Sequence, residues 1–162
     1  MRTVPLERRQ TAHDHQAEAE RPVEPPYLIH PVIVGYDGSP SARNALAYAA
    51  GTARQLGRPL LMVYVAPTRA WEFGHTMGLP QDTAALELWL LSELDQVTDS
   101  GDLDVHVRTR WGNPPRELAA IARELRAEAL VIGVPRHFWH QAGGSVSGWL
   151  ARHPRCPVIV VP

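Results

Sequence analysis

From residue 28 onward, short apolar runs alternate with longer stretches whose apolar positions recur every three or four residues. Val32, Ile33 and Val34 form a run closed by Gly35, the pattern of a strand covered on both faces. Ala42, Ala45, Leu46, Ala49, Ala50, Ala53 and Leu56 then share one helical face, with Ser41 the expected cap and Gly57 the stop. Such small side chains suit a helix lying close on a sheet. Leu60, Leu61, Met62, Val63, Tyr64 and Val65 predict a second strand. A second helix is expected over about 81–98, with Leu86, Leu90, Leu94 and Val97 on one face. Its leucine-rich middle carries Glu87 and Glu93 and falls short of the about 20 apolar residues that span a bilayer.

Val105, Val107 and Thr109 alternate with polar neighbours, so a third strand is expected nearer the sheet edge. Asn113 before Pro114 is an N-cap with proline at the first helical position, opening a helix through Leu118, Ile121, Ala122 and Leu125. Ala129, Leu130, Val131 and Ile132, stopped by Gly133, predict the fourth strand. Ser145 is the expected cap of a short helix to about Arg152, and Val158, Ile159, Val160 and Val161 predict the fifth strand. Strands separated by helices imply parallel pairing through right-handed crossovers. The expected fold is an open-sheeted α/β domain, and no internal repeat accompanies it.

Residues 1–26 break the pattern. Arg2, Arg8, Arg9 and Arg21 mix there with Glu7, Asp14, Glu18, Glu20 and Glu24, without an apolar period, and Pro22, Pro25 and Pro26 close the stretch. Such a segment buries too little surface to offset its ordering entropy, so a disordered tail over 1–26 and one domain over 27–162 are expected. No apolar run of roughly 7–15 residues follows the early arginines, as a signal peptide requires. A cytoplasmic location with no membrane contact is therefore expected. Net charge narrows the partners. The chain of 162 residues carries a formal −1, and beyond residue 26 its 12 arginines balance 12 acidic residues. That gives no basic footprint for nucleic acid. One cysteine makes neither an internal disulfide nor a cysteine zinc site. All 16 basic residues are arginine, which excludes lysine-based phosphate contacts and Schiff-base chemistry.

Open parallel sheets bind ligands beyond the carboxyl ends of their strands, where strand order reverses. After the first strand comes Gly35-Tyr36-Asp37-Gly38-Ser39-Pro40-Ser41. The Asp37 carboxylate there suits a ribose or base as acceptor, or equally an Asx-type turn before the helix. After the fourth strand come Gly133-Val134-Pro135-Arg136, an aromatic stretch, and Gly143-Gly144-Ser145-Val146-Ser147. Glycines before a helix start leave N–H groups for an anion, with the Ser145 and Ser147 hydroxyls as further donors. An ordinary glycine-rich turn with a serine cap uses the same residues.

Val32-Ile33-Val34-Gly35-Tyr36-Asp37-Gly38-Ser39 resembles the opening of the universal stress protein (UspA-like) family. Gly144-Ser145-Val146-Ser147, Leu150, Arg152-His153 and Cys156-Pro157-Val158-Ile159-Val160-Val161 resemble its close, and Trp111-Gly112-Asn113-Pro114 its middle. The resemblance covers about 28–162. It implies a five-stranded, Rossmann-like sheet of order 3-2-1-4-5, with helices on both faces and a homodimer formed through Val158–Val161. Many members bind ATP through a Gly-x2-Gly-x9-Gly-Ser/Thr pattern. Carried across, Gly133 fills the first glycine, while Gly144 and Ser145 fill the last pair. Val146 and Ser147 follow them into the helix, Asp37 matches the acidic contact to adenosine, and Val65 falls where adenine meets the second strand. Arg136 stands in place of the middle glycine, and seven residues separate it from Gly144, two fewer than the pattern. Either Arg136 supplies a bidentate phosphate contact in place of backbone donors, or the short loop no longer wraps a polyphosphate and Arg136 is a solvated residue. Pro135 also removes one backbone donor. A mono- or diphosphate fits the shortened loop better than a triphosphate.

The resemblance implies an adenine-nucleotide-binding protein of the stress response that works by binding and dimerisation, with magnesium only alongside nucleotide. The alternative is a dimeric interaction module of the same fold without nucleotide, and a third reading is a slow ATPase. Catalysis has little support. Neither Ser145 nor Ser147 has glycine two positions away on both sides, and neither a Walker A sequence nor Gly-x-Gly-x-x-Gly occurs. Trp71, Phe73, Trp111, Phe138 and Trp139 all fall in segments leaving the same sheet edge, either as a rim over a base or as packing for the long connection after the second strand. His137 and His140 lack a third metal ligand at suitable spacing. His30 and His106 are expected at strand edges, His153 at a helix end, and Cys156 as a packed thiol.

Overall fold

The computed structural model describes residues 28–66, 82–99, 101–134 and 146–162. The expected tail therefore lies outside the described residues. Five strands and four helices alternate among those described: β1 (Val32–Gly35), α1 (Pro40–Leu56), β2 (Leu60–Ala66), α2 (Thr83–Val97), β3 (Val105–Trp111), α3 (Pro114–Glu124), β4 (Ala129–Gly133), α4 (Val146–Arg152) and β5 (Val158–Val161). The sheet runs β3-β2-β1-β4-β5, every neighbouring pair parallel. The expected strand order and α/β class are those of the structure.

Register follows the two-residue period of the strands. Ile33, Leu61, Val63, Leu130 and Ile132 face one core with Leu118, Ile121 and Ala122 of α3 and Leu150 of α4. Val32, Val34, Leu60, Met62 and Val131 face the other core with Ala42, Ala45, Leu46, Ala49, Ala50 and Ala53 of α1 and Leu90 and Leu94 of α2. The three central strands are closed off by helices on both faces. β3 and β5 remain as edges, with every residue of β5 half-buried.

The alanine face of α1 lets its backbone come close to the sheet. The tightest approach is at Gly133, where a Cβ would lie 2.3 Å from the carbonyl carbon and oxygen of Ser41. Only hydrogen fits between the end of β4 and the first turn of α1. This helix starts earlier than the sequence pattern suggested. Ser39, not Ser41, is the N-cap, its Oγ accepting the Ala42 N–H at 3.1 Å, with Pro40 at the first helical position. Proline's fixed φ is already helical, so the helix begins there. Ser41 is buried inside the first turn, 3.1 Å from the Ser39 hydroxyl. Gly57 ends α1, its N–H donating to the carbonyls of the last turn.

The Asp82 side chain caps α2 by accepting the Ala85 N–H at 2.7 Å, and the Asn113 side chain caps α3 by accepting the Arg116 N–H at 3.4 Å. The Ser145 cap lies outside the described residues, and α4 begins at Val146. His30, at φ 58°, precedes β1 and holds the Arg126 carbonyl through Nδ1 at 2.8 Å. Cys156 is half-buried, and burial pushes its thiol up.

Candidate functional site

The sheet turns over at β1. From it the chain winds outward to β2 and β3, then crosses back to place β4 and β5 on the other side. Between β1 and β4 the connections therefore diverge, which opens a crevice at the strands' carboxyl ends. A cavity of about 160 Å3 occupies that position. Gly35, Tyr36 and Asp37 form its β1 side, Val63 and Val65 its β2 side, and Ile132 and Gly133 its β4 side. Pro114 and Leu118 of α3, Ala42 of α1 and Val146 of α4 complete it. The wall is mainly aliphatic, with Asp37 an exposed carboxylate at the mouth. As bounded by the described residues, its volume is below the roughly 300–1,000 Å3 of a pocket enclosing a drug-sized ligand.

Each wall has a local cause. Gly35 keeps the floor open, because a Cβ there would lie 3.0 Å from Leu118 Cδ1. Val63 and Val65 point inward because they share a face of β2 with Leu61. Pro114 is brought in by the Asn113 cap at the start of α3. The main chain at the β1 exit is tied to β2 by the Tyr36 N–H, which donates to the Val63 carbonyl at 2.9 Å. Asp37 then turns the chain: its Oδ1 accepts the Ser39 N–H at 3.0 Å. This is the Asx-turn geometry, and the second carboxylate oxygen has no part in that bond. The turn reading of Asp37 is the one seen, and the same residue lines the cavity.

Of the expected site residues, the fold brings Asp37, Val65, Gly133 and Val146 to one cavity. Ser147 follows Val146 as the second residue of α4. Arg136, Gly144 and Ser145 lie outside the described residues, as do Trp71, Phe73, Phe138, Trp139, His137 and His140. Gly133 has a packing role that the motif did not suggest, since its missing Cβ is what admits α1. Trp111 ends β3 itself rather than a loop, and stands 39% exposed. Among the described residues no group of three His, Cys, Asp or Glu side chains is placed to hold a metal ion.

Behind Asp37, on the opposite face of the sheet, lies a cluster that the sequence pattern did not single out. Tyr36 points away from the cavity, and its hydroxyl donates to Glu93 Oε2 on α2. Arg43, in the first turns of α1, donates Nε to the same oxygen at 3.1 Å and Nη2 to Glu93 Oε1 at 3.3 Å. Glu93 is 7% exposed, and with Ser41 it makes up the buried polar side chains among the described residues. Burial first, then the bond to Glu93, push the Tyr36 phenol up to about 12, so it remains a donor at neutral pH. One turn earlier on α2, Trp89 lies 5.7 Å from both Tyr36 and Tyr64, ring centre to ring centre. Burial and the nearby Asp37 charge push the Tyr64 phenol up as well. The signal for this cluster was present: Glu93 falls among Leu86, Leu90 and Leu94 on the apolar face of α2, where a lone carboxylate needs a buried partner.

Comparison with known proteins agrees with the fold. The family model described as the universal stress protein family matches residues 29–162. Comparison with curated proteins gives no match. Among solved structures, a universal stress protein in complex with cAMP aligns at 23% identity and a TM-score of 0.63, over 82% of this chain and 97% of its own. The universal stress protein from Archaeoglobus fulgidus in complex with dAMP aligns at 23% identity and 0.60, over 83% and 99%. A universal stress protein family member from Arabidopsis thaliana with AMP bound aligns at 18% identity and 0.53, over 81% and 91%.

Proposed function

The chain belongs to the universal stress protein family, and we propose that it is an adenine-nucleotide-binding member serving the stress response by binding and association rather than by catalysis. The observation that carries the reading is the β1/β4 crevice, where Asp37, Val65, Gly133 and Val146 meet around a mainly aliphatic cavity. Adenine stacks against the Val65 and Leu118 side of that cavity. The free oxygen of Asp37 accepts a hydroxyl of the ribose, and the phosphate extends past Gly133 toward Val146 and Ser147. Gly144 and Ser145 contribute the phosphate donors of the family pattern, and Arg136 adds a charge-assisted contact. Three structural relatives are described with cAMP, dAMP and AMP, ligands with a single phosphate group. The shortened loop favours the same class, so AMP and ADP bind more tightly than ATP. Magnesium enters only with a bound polyphosphate.

Titration calorimetry with AMP, ADP and ATP tests this. Binding is expected for the wild type, and Asp37→Ala weakens it about tenfold, the scale of one hydrogen bond to a charged group. Absence of heat and of thermal protection with all three nucleotides overturns the proposal and leaves a dimeric interaction module of the same fold. Phosphate release above a buffer control, lost in Ser145→Ala, overturns the non-catalytic part. No helix among the described residues is long and apolar enough to cross a membrane, and the proposed setting is the cytoplasm.

A further inference from the structure

The Tyr36 phenol, Glu93 and Arg43 meet on the α2 side of the sheet, away from the cavity that Tyr36 borders, and Tyr36 is covalently next to Asp37. Strand geometry sends alternate side chains to opposite faces, so fixing Tyr36 on the α2 side sets where the next residue begins its turn. Tyr36 is held at both ends, its main-chain N–H donating to the Val63 carbonyl and its hydroxyl to Glu93. Glu93 is in turn held by two nitrogens of Arg43, which stands on α1 just beyond the same turn. The strand before Asp37 and the helix after it are thus tied to one buried carboxylate on a third element. Trp89 closes the arrangement from above: its ring lies 3.2 Å from where a Cβ on Gly38 would be, and Gly38 has a φ of 81°. A side chain at residue 38 would displace the indole, so α2 rests directly on the Asp37-Gly38 turn. No residue of α2 lines the cavity.

We propose that Glu93 and Tyr36 are positioning residues for Asp37, so that the seating of α2 sets the affinity of the β1/β4 crevice for an adenosine-containing ligand. This rests on the nucleotide reading above for its ligand, but not for the mechanical link. A removable contact of this kind makes α2 a lever: displacing Trp89 and Glu93 together releases the turn, and ligand seated on Asp37 resists that displacement. The coupling is reciprocal by thermodynamic necessity.

The decisive experiment uses Tyr36→Phe, which retains the ring beneath Trp89 and removes the donor, and Glu93→Gln, which retains shape and removes charge. AMP binding is followed by chemical-shift titration well below the melting temperature of each variant. Both substitutions are expected to weaken AMP about fivefold, the scale of one buried hydrogen bond. In an Asp37→Ala background, Tyr36→Phe is expected to change affinity no further. A purely structural role predicts lower melting temperatures with unchanged affinity, and that result overturns the proposal. Equal weakening with and without the Asp37 carboxylate also overturns it. A second readout needs no ligand: the Ser39 amide, bonded to Asp37 Oδ1, is expected to exchange faster in both variants. If wild type binds no AMP, the nucleotide reading falls by itself, and unchanged Ser39 exchange then overturns the positioning role independently.

Discussion

At the scale of single residues, the site depends on side chains that serve two masters. Asp37 gives one oxygen to the Ser39 N–H and lines the cavity besides. Tyr36 serves the sheet through its main chain and the α2 carboxylate through its hydroxyl. Its phenol is the clearest titration signal in the described structure. The unfolded phenol titrates near pH 10 and the folded one near 12. Because the folded value is raised, the stabilisation is fully present below about pH 10 and is lost as pH rises through about 12. Urea midpoints should therefore fall from about pH 10 to about pH 12, and Tyr36→Phe should flatten that fall. Tyr64, pushed up by burial and by the Asp37 charge, leaves a residual slope. The Asp37 turn was legible in the sequence because Asp-Gly followed by Ser-Pro is itself a turn signal. The place of Glu93 among leucines signalled that it needs a buried partner, but the partner was not legible: Tyr36, just after β1, is 57 positions away, and nothing local ties it to a helix three elements later.

Among elements, small side chains decide the layering. The alanines of α1 at positions 42, 45, 49, 50 and 53 are all buried, and they admit the helix close enough for Ser41 to meet β4. Gly133→Ala places a Cβ 2.3 Å from the Ser41 main chain, and neither backbone can yield without moving its element. The expected cost is about 1–3 kcal/mol, read as a lower urea midpoint, with nucleotide affinity falling too because the same residue lines the cavity. Element types and order followed from period and punctuation: apolar runs for β1, β2, β4 and β5, alternation for β3, and Asn113-Pro114 for α3. The start of α1 did not follow, since Ser39 and Ser41 are both good caps and the choice rests on Pro40 and the Asp37 turn.

Across the whole molecule, β5 is an edge of four aliphatic residues, all half-buried. The Pro157 and Val161 carbonyls accept N–H groups from the β4 side at 2.9 and 2.8 Å. Alternation along the strand therefore turns the main chain of Val158 and Val160 outward. Such an edge invites a second strand, and a two-fold copy of β5 is the proposed occupant. Light scattering at high micromolar concentration should give twice the chain mass, and Val160→Pro should halve it while leaving the β4 ladder intact. A monomeric wild type overturns the dimer. The sequence by itself determined the alternation of strands and helices, the class of fold and the candidate turns at the strand ends, because each depends on periods and breakers within a few residues. The strand order came with the family resemblance, whereas the close approach of Gly133 to Ser41, the cavity shared by Asp37, Val65, Gly133 and Val146, and the tie from Tyr36 to Glu93 were seen only in the folded chain. These are contacts between elements far apart in sequence, and only the packing of helices on both faces of one twisted sheet brings them within reach.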